Sequence, residues 1–311
     1  MTGHTTSASI RAASLLTNRL VALDAKPLPA GEFWTLVEHV DPAALLDLDV
    51  AGIAELVGCA SDEAVRYRTL LDASTALMFE QERLLEGGVT LVSALDDRFP
   101  AVLRERLGSA CPPFLLVAGS PEIFDHSALG VVGSRDAAPE ALDVAGDAGR
   151  MAAGRGWPVV SGLARGVDQA AMAAAIEVGG QTIGIPADGI LSASRNAEVR
   201  RGVHDGHLCL ASPFAPSAPF RAGNALGRNK IIYALSRVAF VVSADNGSGG
   251  TWAGANEAIE RGYAHVAAWT GAGAKAGNAA LAAKGATPVG EVDALFDLDP
   301  TIPPPARDSL F

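Results

Sequence analysis

From Ala128 onward the sequence alternates short apolar runs with helical stretches, and this alternation constrains the fold more than any other feature. Leu129-Gly130-Val131-Val132, Pro158-Val159-Val160, Thr182-Ile183-Gly184-Ile185, His207 to Ala211, Val238 to Val242 and Val266 to Trp269 read as strands. Helices are expected over 139–154, 168–178, 194–203, 224–235, 251–261 and 275–284. The apolar runs lack a period of two, so each strand is buried on both faces. Such strands, each followed by a helix, predict an α/β fold with a doubly wound parallel sheet and right-handed crossovers.

Residues 8–86 read as helical. Phe33, Trp34, Leu36, Val37 and Val40 form a stripe at helical spacing, and Asp41-Pro42 is a helix start with Asp as cap. Gly52 and Gly58 read as breaks, and a further helix is expected from about Asp62 through Arg83, ending at Gly87-Gly88. Short helices broken by glycine resemble a SAM-like or helix-hairpin-helix module, and they also fit a plain helical packing domain. Strands at 89–92 and 114–118 flank a helix at 101–107 before the alternation begins. The expected organisation is a helical domain at 1–86, an extended α/β domain at 87–296 with its core at 128–296, and a proline-rich tail at 297–311.

The chain holds 24 Lys and Arg against 35 Asp and Glu, net -11, which at face value argues against nucleic acid. The charge is uneven, however. Residues 1–127 carry 9 basic and 18 acidic side chains, 128–296 carry 14 and 14, and 297–311 carry 1 and 3. Arg195 to Arg237 holds seven basic residues against two acidic ones, a local field suited to an anion. Three cysteines without a CxxC (Cys59, Cys111, Cys209) speak against a disulfide framework or zinc site and fit a reducing cytoplasm. Met1 to Arg11 is polar and no apolar run reaches membrane-spanning length, so neither a signal segment nor a membrane partner is expected.

Ligands of an open parallel sheet bind beyond the carboxyl ends of its strands. Three glycine-rich loops fall there: Gly133-Ser134-Arg135, Ser161-Gly162-Leu163-Ala164-Arg165-Gly166, and Asn246-Gly247-Ser248-Gly249-Gly250-Thr251. Glycine admits close approach of an anion, and each following helix presents free amides. Arg135 and Arg165 add candidate bidentate phosphate contacts. A fourth piece, Phe220 to Ile232, clusters Arg221, Arg228, Asn229 and Lys230 behind Phe220, pairing charge for a backbone with a ring for a base. None of the loops is GxGxxG or GxxxxGK[ST]. No HExxH, GxSxG or metal-spaced His/Cys set occurs, so no catalytic residue, metal or cofactor is expected.

Taken together, Asp96-Asp97-Arg98-Phe99-Pro100, Val131-Val132-Gly133-Ser134-Arg135, Ser161 to Asp168 and Arg228-Asn229-Lys230-Ile231-Ile232 resemble the DprA/Smf family of DNA-processing proteins, over about Gly88 to Pro288. The resemblance implies an extended Rossmann-like fold that binds single-stranded DNA, loads RecA on it and forms a homodimer. By family position, Arg135, Arg165, Arg228 and Lys230 would meet phosphates. The chain departs from the pattern at Ala171-Met172, at Ser212-Pro213 and in the loop carrying Trp252. Gly249-Gly250-Thr251 is also similar to Lonely-Guy phosphoribohydrolases, but Gly254 stands where their catalytic Glu belongs and the first Glu is Glu257. A sensor of a small nucleotide is the alternative reading.

Overall fold

The computed structural model describes residues 6–298; the expected proline-rich tail at 297–311 lies outside them from residue 299 on. The described residues open with five α-helices, α1 (Ser7–Thr17), α2 (Ala30–His39), α3 (Val50–Val57), α4 (Ser61–Leu71) and α5 (Ser74–Glu86). An extension follows: β1 (Val89–Ser93), α6 (Ala101–Leu107) and β2 (Phe114–Ala118). The alternating region comprises β3 (Leu129–Gly133), α7 (Pro139–Gly154), β4 (Val159–Ser161), α8 (Val167–Glu177), β5 (Thr182–Gly184), α9 (Ile190–Ala193), α10 (Ala197–His204) and β6 (Leu208–Ser212). It ends with α11 (Ala222–Leu235), β7 (Val238–Ser243), α12 (Gly249–Arg261), β8 (His265–Trp269), α13 (Ala276–Ala283) and β9 (Thr287–Val289).

Among the described residues all nine strands form one sheet, in the order β1-β2-β6-β5-β4-β3-β7-β8-β9. From β6 to β9 the pairing is parallel, whereas β1 and β2 join antiparallel at the β6 edge. The strand order reverses between β3 and β7, which makes their carboxyl ends the switch point where a doubly wound sheet opens a crevice. Consecutive residues face opposite layers. Val131, Val159 and Phe240 pack with Ala145, Ala148 and Ala171 of α7 and α8, while Val132, Val160 and Val241 pack with Ile231 and Ile232 of α11. The second core runs unbroken into Leu15, Phe33, Trp34 and Tyr67 of the helical front. Trp34 ties the two parts: its indole donates to the Cys111 carbonyl at 2.8 Å, and Arg104 lies over its ring at 3.6 Å.

Several sequence expectations need correction. The helix expected over 62–83 is two helices, broken at Asp72 and Ala73. The buried positions explain this: Leu70 and Leu71 are adjacent, and Ala73, Leu77 and Leu84 continue on a shifted phase that one straight helix cannot bury. Gly52 is not a break, because its amide donates to the capping Asp49 carboxylate in the first turn of α3. Gly58 does end that helix, in the left-handed conformation. The helix expected at Ser194 begins at Ala197, where the Asn196 side chain accepts from Glu198 and Val199. The short edge strand β9, which contains Pro288, has no expected counterpart.

One buried side chain joins the far half of the sheet. Asn278 is 1% exposed; its amide donates to the carbonyls of Val241, Val242 and Trp269, and its oxygen accepts from Ala244. It thereby pins the end of β7 to β8 just ahead of the third glycine loop. Asn278→Leu should cost about 3 kcal/mol, because it removes these bonds and strands buried backbone groups. Urea unfolding would read this as a lower midpoint with unchanged m-value.

Candidate functional site

The three glycine loops meet at the switch point. The Ser134 amide donates to Ser243 at 2.9 Å, joining β3 to β7. Gly166 has φ +83, and a Cβ there would run into the Ser134 and Arg135 carbonyls, so the second loop lies directly on the first. Thr251 donates its hydroxyl to the Gly133 carbonyl at 3.1 Å, and Asn229 donates to the Gly250 carbonyl at 3.1 Å. The third loop is therefore laced to the first loop and to α11.

These elements enclose a cavity of about 680 Å³. Gly133, Ser134, Arg135, Gly249, Gly250 and Thr251 line its loop side, and Phe220, Ala225, Leu226 and Ile232 its apolar side. A second cavity of about 380 Å³ lies beside it, lined by Gly162, Leu163, Arg165, Asp188 and Asn196. Arg135, Ala164, Phe220 and Arg228 border both. Phe220 stands on the shared ridge with 57% of its surface exposed.

The expected phosphate contacts divide sharply. Arg135 and Arg165 are exposed and border the cavities. Arg221 is exposed at the start of α11 but borders neither cavity. Lys230 is turned toward α12, where it pairs with Glu257 at 2.9 Å, and it borders neither cavity. Ser161 and Arg228 do not stand open as the sequence reading had them. Ser161 is fully buried and donates to the Val131 carbonyl at 2.6 Å. Arg228 is 5% exposed, and one of its terminal nitrogens donates to the Gly162 and Ile185 carbonyls. The reason is local: α11 runs beneath the second loop, and Gly162 leaves the space that the guanidinium fills.

Under the same loop lies Asp168, 6% exposed, accepting from the amides of Gly162 at 3.1 Å and Ala164 at 3.4 Å. Burial pushes its carboxyl upward, and the nearby Arg228 guanidinium and the two amides pull it back. Burial lowers Arg228 in turn, and Asp168 opposes that shift.

One cation escaped the sequence reading. Lys275, the cap of α13, places its ammonium 3.1 Å from the Ser134 hydroxyl and 3.0 Å from Asp245 at the cavity rim. Its only sequence signal is a place in the loop after β8, next to Gly271 and Gly273. Among the described residues no cluster of His, Cys, Asp and Glu could hold a metal ion, and no helix is long and apolar enough to cross a membrane.

A parallel sheet with a reversed strand order, an antiparallel extension and three interlocked glycine loops at the switch point defines an extended Rossmann-type protein whose crevice suits an anion. The chain belongs to the DprA/Smf family: the profile described as DNA recombination-mediator protein A matches residues 90–298. DNA processing protein DprA of Streptococcus pneumoniae is 29% identical over 218 residues, covering 68% of this chain and 71% of that one. DprA of Bacillus subtilis is 28% identical over 180 residues, 57% of this chain and 59% of its own. Protein Smf of Escherichia coli is 34% identical over 145 residues, 44% of this chain and 37% of its own. Among solved structures, pneumococcal DprA superposes with a TM-score of 0.67 at 22% identity, covering 94% of this chain and 98% of that one. DNA processing protein A of Helicobacter pylori, described for its single-stranded DNA binding mode, superposes with a TM-score of 0.55 at 19% identity, covering 67% and 94%. At these identities the two structures establish the fold, helical front included in the first case.

Proposed function

We propose that the crevice binds single-stranded DNA without cleaving or modifying it. The observation that carries this reading is the pair of exposed arginines, Arg135 and Arg165, set on interlocked glycine loops at the switch point. Their guanidinium groups take successive phosphates, the amides of Gly133, Gly249 and Gly250 assist, and Phe220 on the ridge offers its face to a base. The relatives' description as DNA-processing proteins supports the same reading. Recombinase loading and a homodimeric state are parts of it that rest on the family resemblance, and a cytoplasmic location is a part that rests on the cysteine pattern. The non-catalytic part is supported by Glu257, the first acid after the third loop, which is paired with Lys230 and borders neither cavity. The acidic helical front, within the 9 basic and 18 acidic residues of 1–127, repels a second strand, so duplex binds more weakly than single strand.

Titration of a labelled oligo-dT at several salt concentrations tests the reading. Two phosphate contacts predict a slope of log K against log salt of about -1.4, that is about -0.7 per phosphate on a single strand. Salt-independent binding, or none at low salt, would sink it. The size of the main cavity, about 680 Å³, favours a second reading in which a small nucleotide is the ligand. A rise in melting temperature with one mononucleotide, without oligonucleotide binding, would select that reading.

A further inference from the structure

We propose that Asp168 and Arg228 are a buried positioning pair that holds the Ser161–Gly166 loop at the crevice, and that Arg228 does not touch the strand. The inference rests on the single-stranded DNA reading for one of its two readouts and is independent of it for the other.

The geometry is two-sided. Within the loop, the Gly162 amide N–H donates to the Asp168 carboxylate at 3.1 Å, and the Gly162 carbonyl accepts from the Arg228 guanidinium. One residue is thus gripped on its donor side by a negative charge and on its acceptor side by a positive one. Asp168 also takes the Ala164 amide at 3.4 Å, and Arg228 also reaches the Ile185 carbonyl at the end of β5. The loop is tied by these bonds to α8, α11 and the sheet.

The loop needs such ties. Leu163 has φ 59, the left-handed region that side chains other than glycine rarely adopt, and it is followed by Gly166 at φ 83. A backbone in that region persists where its surroundings over-determine it. Arg165 lies between Ala164, whose amide Asp168 holds, and Gly166, which rests on the first loop. Its placement over the smaller cavity therefore follows from the buried pair, although neither member need meet the ligand. Arg228 is 5% exposed, and one of its terminal nitrogens is taken up by two carbonyls, which commits the side chain to the brace rather than to display as a free cation. Arg135 of the first loop and Asp188 after β5 lie near enough to act on the Arg228 charge, and Ser161 of β4 and Tyr233 of α11 lie near Asp168.

A phosphate contact and a positioning pair predict opposite results for a neutralised pair. Asp168 and Arg228 form no direct ion pair and meet through Gly162, but both charges are buried; removing one leaves the other uncompensated, whereas removing both and keeping the hydrogen bonds is tolerated. Arg228→Gln keeps an amide donor for the carbonyls, and Asp168→Asn keeps an oxygen acceptor for the two amides. The experiment compares wild type, Arg228→Gln, Asp168→Asn and the double variant in oligo-dT titrations at several salt concentrations and in thermal unfolding.

The expected result is that Arg228→Gln alone weakens binding at least tenfold and lowers the melting temperature. Adding Asp168→Asn should restore most of both, with the wild-type salt slope. A double variant that binds no better than Arg228→Gln would overturn the proposal. So would a slope shallower by about 0.7, the signature of one lost phosphate contact. If wild type binds no oligonucleotide at any salt, the DNA reading fails, and unfolding alone decides the pair. Rescue of the melting temperature by Asp168→Asn then upholds it, and absence of rescue overturns it.

Discussion

Replacing Arg135 and Arg165 together by alanine should weaken single-stranded DNA binding on the order of 100-fold and flatten the salt slope by about 1.4. The size follows from two charge-assisted hydrogen bonds at about 1.5 kcal/mol each, the lower end of their range, with about 1.4 kcal/mol per decade of affinity. The slope follows from about 0.7 per phosphate released from its counterions on a single strand. Both side chains are exposed, and neither supports the core, so the variant should unfold at the wild-type temperature. The loss should be uniform across oligonucleotide sequences, because phosphates carry no sequence information. The contrast is Lys230→Ala. Lys230 belongs to the basic 195–237 stretch of the sequence, yet it is paired with Glu257 at 2.9 Å and borders neither cavity, so its removal should leave the slope where it was. Equal losses for Lys230→Ala and for the double variant would show that the summed basic charge around the crevice, rather than two placed arginines, attracts the strand.

The difference between Lys230 and Arg165 marks where sequence reading stops. The strands of the core were legible because Val131-Val132, Val159-Val160 and Val238 to Val242 are apolar on both faces, a pattern that follows from burial between two helix layers. The three loops were legible because glycine followed by a helix start is a local signal. The burial of Arg228 was not legible because its environment is not local. It lies 66 residues from Gly162 and 43 from Ile185, and only the packing of α11 under the second loop turns it inward. Lys230, two positions on, leaves the same helix on another side, where Glu257 of α12 meets it. A cluster of like charges on a sequence therefore becomes, on a helix, one brace, one ion pair and one exposed cation. Lys275 was missed for the converse reason: its one local signal, a place beside Gly271 and Gly273 after β8, says nothing of the crevice, and the rim of the cavity reaches it because β8 and α13 pack beside β7. The break in the helix at Asp72 and Ala73 was likewise hidden, since every residue from 62 to 83 tolerates a helix and only the shift of the buried stripe requires two.

Gly149→Val should be the most damaging single substitution to the fold, by about 3 kcal/mol or more, within the range of overpacked cores and enough to unfold a marginal domain. Gly149 lies in α7 at its contact with α8, and a Cβ there would run into the backbone carbonyl of Ala171. A flexible side chain could step aside, but a helix backbone cannot without moving α8 as a unit. The surrounding positions are built for the same close approach: Ala145, Ala148, Ala152, Ala171 and Ala175 are all fully buried. Small residues on both helices let the two axes come near enough to cover β3 and β4 together, and β3 carries the first glycine loop. Displacing α8 also displaces Asp168 in its first turn, and with it the amides of Gly162 and Ala164. The substitution should therefore lower the urea midpoint and weaken oligonucleotide binding in the same variant. Gly154→Ala, in the last turn of the same helix where an added Cβ meets nothing within 4 Å, should do neither. If Gly149→Val unfolded at the wild-type midpoint, α7 and α8 would have to lie farther apart than their alanine-lined contact requires.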